Sequence, residues 1–244
     1  RRGAIIPVEP APAISEKPKE ITSFPESTEK SRENGKLVAN LLSVMARKLR
    51  EAEDELGKID ALAGDGDHGM GMTRGSAAAV EAAEKAVAAG AGAASVLAVA
   101  GDAWADRAGG TSGALWGLAL RTWSTAFSDQ AVLNPDAVAK GAQAGLDAVV
   151  RLGRAKPGDK TLVDAFAPFV ATLQAGLNAG CSLTEAWNKA ARAATTAAEQ
   201  TAQLTPKLGR ARSHTARSLG HPDAGAISLA MCARVIGEEL LRID

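Results

Sequence analysis

The chain has 244 residues and 28 basic against 28 acidic side chains, so its formal charge is zero and nucleic acid has no electrostatic footprint to bind. No apolar run reaches transmembrane length, and the N-terminus lacks the apolar core of a signal peptide, which argues against a membrane partner. Hydrophobic residues make up 46% but aromatics only 3%, which with abundant alanine points to closely packed helices in one large domain.

The first elements in chain order are not helical. Residues 1–30 carry Pro7, Pro10, Pro12, Pro18 and Pro25 with Glu and Lys between them, the composition of a linker. Ala4-Ile5-Ile6-Pro7-Val8 reads as the last extended piece of an upstream domain. Helical periodicity then recurs over 31–56, 72–89, 93–108, 112–127, 134–152, 161–179, 182–203 and 218–242, as in Leu37, Leu41, Val44, Met45 and Leu49. Asn134-Pro135 supplies a cap with Pro at the first helical position, and Ser182 with Glu185 forms a capping box. Cys181 and Cys232 fall in helical patterns and are expected as free thiols in a reducing cytoplasm. Short connections favour antiparallel neighbours. The gaps 57–71, 109–111, 153–160 and 204–217 then fall at one end of an up-and-down bundle.

The first of these gaps holds Asp60, Asp65 and Asp67 among Gly64, Gly66 and Gly69. Two carboxylates about 4 Å apart repel by roughly 4 kcal/mol at an effective dielectric near 20. Either the side chains splay into water or a hard divalent cation sits among them. A calcium loop of the EF-hand type is excluded, because Ser76 stands where its bidentate Glu is required. The second gap, Ala108-Gly109-Gly110-Thr111-Ser112-Gly113, precedes an apolar stretch, with Thr111 or Ser112 as the expected N-cap. Glycines before a helix N-terminus suit a phosphate. The third segment, Lys156 to Leu162, has a Pro-Gly turn, with Asp159 or Thr161 expected to cap the next helix. The fourth, Leu208 to Gly225, holds Arg210, Arg212 and Arg217 and a His221-Pro222-Asp223-Ala224-Gly225 turn; its arginines suit either phosphate or a solvated surface.

Together GDGDHG, GGTSGALWG, AKPGDKTLVDAFAP and the LGR…SLGHPDAGAISLA run resemble the nucleotide-binding domain of the dihydroxyacetone kinase family, over residues 31–244 and in that family's order. The resemblance implies an all-α fold, a closed barrel of eight antiparallel helices with nucleotide at one rim. The division of this chain into eight helices leans on that fold. It implies that Asp60, Asp65 and Asp67 hold Mg²⁺, and that His68, Gly69, Met70 and Gly71 contact phosphate. The family often has Asn where Gly71 stands, so only the backbone remains there. Thr111 and Ser112 match a further phosphate-contacting pair. Gly153 and Leu162 match the adenine pocket, Arg210 a nucleotide-contacting arginine, and Asp223, Ala224 and Gly225 the base and ribose turn. Residues 212–216 depart from the family pattern.

The implied activity is transfer of a phosphoryl group from ATP to a small ketose such as dihydroxyacetone or erythrulose. The histidine that holds the ketose is expected on a separate K domain, so no catalytic residue is assigned in this chain. The isolated chain is expected to bind ATP or ADP without kinase activity, and a homodimer would form through the K domain. The Pro-rich leader fits a fused kinase. The alternatives are a free L subunit holding ADP as a cofactor, and a non-enzymatic helical protein binding a structural cation or a lipid.

Overall fold

The computed structural model describes residues 23–209, 212 and 215–243. Residues 1–22, most of the expected linker, lie outside the described residues, as do Arg210 and His214. The helices are α1 Glu29–Glu51, α2 Glu53–Ala61, α3 His68–Ala88, α4 Ala93–Ala108, α5 Gly110–Trp123, α6 Pro135–Gly153, α7 Val163–Asn178, α8 Leu183–Gln200, α9 Thr215–Ser218 and α10 Ala224–Ile243. The described residues contain no strand.

Eight of these, all but the short α2 and α9, form a ring. Contacts run α1–α3–α4–α5–α6–α7–α8–α10, and α10 packs back on α1 to close it. The expected all-α closed barrel of eight helices is therefore what the chain forms. Small residues make the wall thin: Ala79, Ala83 and Ala86 of α3 and Ala93, Val96 and Ala100 of α4 are almost wholly buried. Leu49, Leu56 and Met72 are also sealed, each burial worth about 1.5–3 kcal/mol. Inside the ring Trp116, Trp123, Phe166, Phe169 and Trp187 line an apolar cavity of about 80 Å³.

Caps fix the register of the helices. Thr28 Oγ1 accepts from the Ser31 N–H at the start of α1, and Asn134 and the Ser182–Glu185 capping box act as expected at α6 and α8. The extended residues before α1 are tied to the bundle. Phe24 packs on the core, Ser27 Oγ donates to Gly90 O, and the Thr28 N–H donates to Asp129 O.

Several boundaries differ from expectation, each for a local reason. The first helix breaks at Ala52, and α2 continues to Ala61, so Asp60 sits in a helical last turn rather than in a loop. Helix α3 begins at His68, not Met72, directly after Asp67. Helix α5 begins at Gly110 with Gly109 as its N-cap, so neither Thr111 nor Ser112 is the cap. Helix α7 begins at Val163, and Leu162 at the N-cap position makes no cap bond; Thr161 Oγ1 accepts from the Val163 N–H, the first of the helix, while Asp159 accepts from the Lys156 N–H. The final helix divides into α9 and α10.

Candidate functional site

At one end of the ring the four motif segments converge on a cleft of about 300 Å³. Its wall includes the start of α3 at His68, of α5 at Gly110, of α7 at Val163 and of α10 at Ala224. The first N–H groups of any α-helix lack an intrahelical partner, and the helix dipole makes that end positive. Four such ends around one cavity produce a field suited to a polyanion.

The carboxylates share this cleft, Asp67 at the N-terminus of α3 itself. Asp60, Asp65 and Asp67 offer one oxygen each, all within 4.8 Å of one another. Asp60 is half-buried and fixed: its Oδ2 accepts from the Gly66 N–H at 2.9 Å, and its carbonyl accepts from Ala63 and Gly64. Asp65 and Asp67 are exposed, on a turn made possible by Gly66 at φ +79°. Three carboxylate oxygens at this separation form a donor set that a hard, oxygen-preferring cation such as Mg²⁺ fits. Nearby, Gly109 and Gly110 take φ of +70° and +62°, and a Cβ on either would meet nothing within 4 Å. The turn therefore needs glycine for its backbone and leaves open space beside the α5 N-terminus.

The other expected residues divide in two. Gly71, Thr111, Ser112, Gly153, Leu162, Asp223, Ala224 and Gly225 all line the cleft, with the three aspartates and His68. Gly69 and Met70 lie in the first turn of α3 but not on the cleft wall. Met70 is exposed, and its sulfur accepts from Arg74. Arg212 and Arg217 are exposed, and Arg217 donates to Ala61 O at 3.4 Å.

His68 lines the cleft and also braces it. Its Nε2 lies 3.0 Å from Ser228 Oγ, which itself donates to Gly225 O. The hydroxyl proton is thus committed, and the imidazole Nε2–H is the donor to Ser228. Burial pushes the imidazole below its ordinary pKa, with Asp60 opposing, so the ring stays neutral near pH 7. This bond joins α3 to α10 across the site.

Asp223 caps α10 through Oδ2, which accepts from the Ala226 N–H at 2.8 Å. Its own N–H donates to the buried Thr201 Oγ1. The residue is partly exposed, yet burial of the carboxyl raises its pKa to about 7, with Asp164 and Asp60 adding and the Ala226 N–H and Lys160 opposing. A carboxyl whose folded pKa lies above its unfolded value stabilises the fold fully below the unfolded pKa and loses that contribution as pH rises through the folded one. Asp223→Asn keeps a neutral acceptor for Ala226. It is expected to raise the melting temperature of the ligand-free chain at about pH 8, with the gain fading toward about pH 4. Melting curves of both proteins across that range check this; a gain that grew toward acid would contradict it.

Lys160 was not singled out from the sequence, although it lines the cleft. It is 3% exposed, just behind the cleft surface, and burial lowers its pKa while Asp223 opposes.

The chain is similar to several known proteins. Residues 62–238 match the DAK2 domain. The chain is 50% identical over 212 residues to a D-erythrulose kinase of Mycolicibacterium smegmatis, covering 87% of this chain and 37% of that protein. It is 46% identical to an L-erythrulose 1-kinase of the same organism, covering 99% of the chain and 42% of the relative. The ADP-binding subunit DhaL of the PEP-dependent dihydroxyacetone kinase of Escherichia coli is 30% identical over 182 residues, 73% of this chain and 84% of that subunit. The chain thus spans about two fifths of the two erythrulose kinases and most of the subunit. The crystal structure of the dihydroxyacetone kinase from C. freundii in complex with AMP-PNP and Mg²⁺ superposes with a TM-score of 0.62 at 23% identity, over 98% of this chain and 38% of that one, and so shares the fold. With most of its length matched by the DAK2 domain, the chain belongs to the DAK2-domain family.

Proposed function

We propose that this chain is the Mg²⁺-nucleotide-binding domain of a cytoplasmic ketose kinase, working with a K domain that holds a ketose such as erythrulose or dihydroxyacetone. The observation that carries the reading is the single cleft. Asp60, Asp65 and Asp67 line it together with the N-termini of α3, α5, α7 and α10, and Asp67 directly precedes α3. The carboxylates balance a cation, and the helix ends balance the phosphates that would share it.

Asp60, Asp65 and Asp67 are the residues that would hold Mg²⁺. Bound there, the cation would neutralise charge on the phosphates during transfer. The backbone at Gly110, Thr111 and Ser112 offers N–H donors to the phosphates, with the two hydroxyls beside them. His68 keeps α3 and α10 in register, and with them the helix-end donors and the carboxylates that line the cleft. Gly153 and Leu162, with Asp223, Ala224 and Gly225, form the part of the wall assigned to adenine and ribose, and Arg210 is assigned to the nucleotide as well. This is catalysis by positioning. The acid–base work is placed on the K domain, as the resemblance to the dihydroxyacetone kinase family implies.

Calorimetry and a coupled assay test the proposal. The chain is expected to bind ADP and ATP only with Mg²⁺ present. It should show no turnover with dihydroxyacetone or erythrulose until a K domain is added. Absence of Mg²⁺-dependent binding sinks the nucleotide reading; robust turnover by the chain alone sinks the division of labour.

A second reading draws on the match to 84% of the Escherichia coli ADP-binding subunit. In that case the chain is a free subunit carrying ADP as a cofactor, and stoichiometric ADP would survive gel filtration. The non-enzymatic alternative loses its support to membership in a family whose named relatives are kinases.

A further inference from the structure

Lys160 has a backbone conformation its side chain has to justify. Among the described residues only Arg154 and Lys160 are non-glycine residues with positive φ, and Lys160 stands at +63°. Glycine would hold that conformation without the steric cost of a Cβ. Local hydrogen bonds enforce it here. The Asp164 carboxylate accepts from the Gly158 and Thr161 N–H groups on either side, and the Asp159 carboxylate from Lys156 N–H. Strain that the surroundings over-determine is a pointer to function.

The side chain shows what the conformation achieves. Lys160 Nζ donates to Ser218 O at 2.7 Å and to Leu204 O at 3.2 Å. These carbonyls stand at the two ends of segment 204–218. Between them Leu208 and Gly209 line the cleft, as does Ser218 itself. The neighbouring residue reinforces the junction: the Lys207 N–H donates to Asp159 O, and the Lys207 ammonium pairs with the Asp159 carboxylate at 3.3 Å. Beyond it, the Gly220 N–H closes onto Ala202 O. The base of the segment is thus gathered onto the 159–160 turn, with Lys160 as the cation at its centre.

We infer that Lys160 is a positioning residue for the nucleotide: its ammonium ties Leu204 O to Ser218 O and so holds the cleft-lining Leu208, Gly209 and Ser218 in place. The inference rests on the nucleotide reading proposed above. It requires no contact between Lys160 and the ligand.

Three variants of the chain test it. Lys160→Met removes the cation and keeps the length. Lys160→Gly removes the cation and also relieves the backbone. Lys160→Arg keeps a cation. The readouts are Mg²⁺-ADP affinity by calorimetry and the rate of tryptic cleavage after Lys207, Arg212 and Arg217 without ligand. The Met and Gly variants are expected to lose about tenfold or more in affinity, or ~1.4 kcal/mol, and to be cut faster within the segment. The Arg variant should fall nearer the parent than the Met variant does. Parental affinity and parental cleavage in the Met and Gly variants would overturn the inference, and so would an Arg variant as weak as Met. If the parent itself binds no nucleotide, the proposed function fails first, and the cleavage rates still decide whether the tie exists.

Discussion

Asp65→Ala is expected to remove Mg²⁺-dependent nucleotide binding while leaving the helical bundle intact. Asp65 is exposed, lies between the end of α2 and the start of α3, and belongs to a trio whose oxygens lie within 4.8 Å of one another. Losing an outer partner of a bound metal already costs about 10–100-fold. Loss of a direct ligand should therefore cost about 100-fold or more in Mg²⁺-ADP affinity, which is ~2.7 kcal/mol. The helical content of the ligand-free variant should match the parent's, because Asp65 lies outside the helices. Asp60→Ala should behave differently, because Asp60 Oδ2 also accepts the Gly66 N–H and orders the turn. That variant is expected to lose both binding and stability. Asp54→Ala, on the exposed first turn of α2, serves as the control and should bind as the parent does. Calorimetry with ADP at saturating Mg²⁺, paired with thermal melting, separates these cases. An Asp65→Ala affinity within about twofold of the parent, a difference of ~0.4 kcal/mol, would end the metal assignment.

The parts of this site written in the sequence were those with a compositional signature. An Asp/Gly loop, a Gly/Thr/Ser turn before an apolar run and a Pro-Gly turn are each local patterns. The up-and-down connectivity of short-looped helices then brings them to one end, as the ring shows. Helix ends were harder to place. Leu56 and Ile59 are the only large apolar side chains in residues 53–61, and only Leu56 is buried, so the apolar period that would have extended the helix to Asp60 is missing. The starts of α3 and α5 lack any side-chain cap hydrogen bond, so the usual Ser or Thr signal misplaced α5 by two residues. Lys160 was illegible for another reason. Its partners stand 44 and 58 residues further along the chain, and its left-handed backbone comes from hydrogen bonds rather than from residue type.

Gly69→Ala is expected to be the most damaging small substitution at this end of the molecule, and by a route unrelated to ligand contact. A Cβ on Gly69 would lie 2.0 Å from Glu53 O and 2.8 Å from Glu53 C. The obstacle is the main chain of α2, which cannot rotate away as a flexible side chain would. Over-packing of a core costs about 1–3 kcal/mol and more where backbone must move, so a loss of about 3 kcal/mol or more is expected. For a domain of this size that lowers the melting temperature by about 6–12 °C. Moving α3 off α2 would also shift His68 and break its register with Ser228, so nucleotide affinity should fall in the same variant. Gly153→Ala provides the contrast. Gly153 does line the cleft, but a Cβ there would sit 3.5 Å from Leu115 Cδ2, an ordinary contact, and its melting temperature should stay close to the parent's. Far-UV circular dichroism melts of the two variants decide the matter. Equal stability in both would mean that Gly69 is not a packing requirement, and that a glycine in the first turn of α3 needs another explanation.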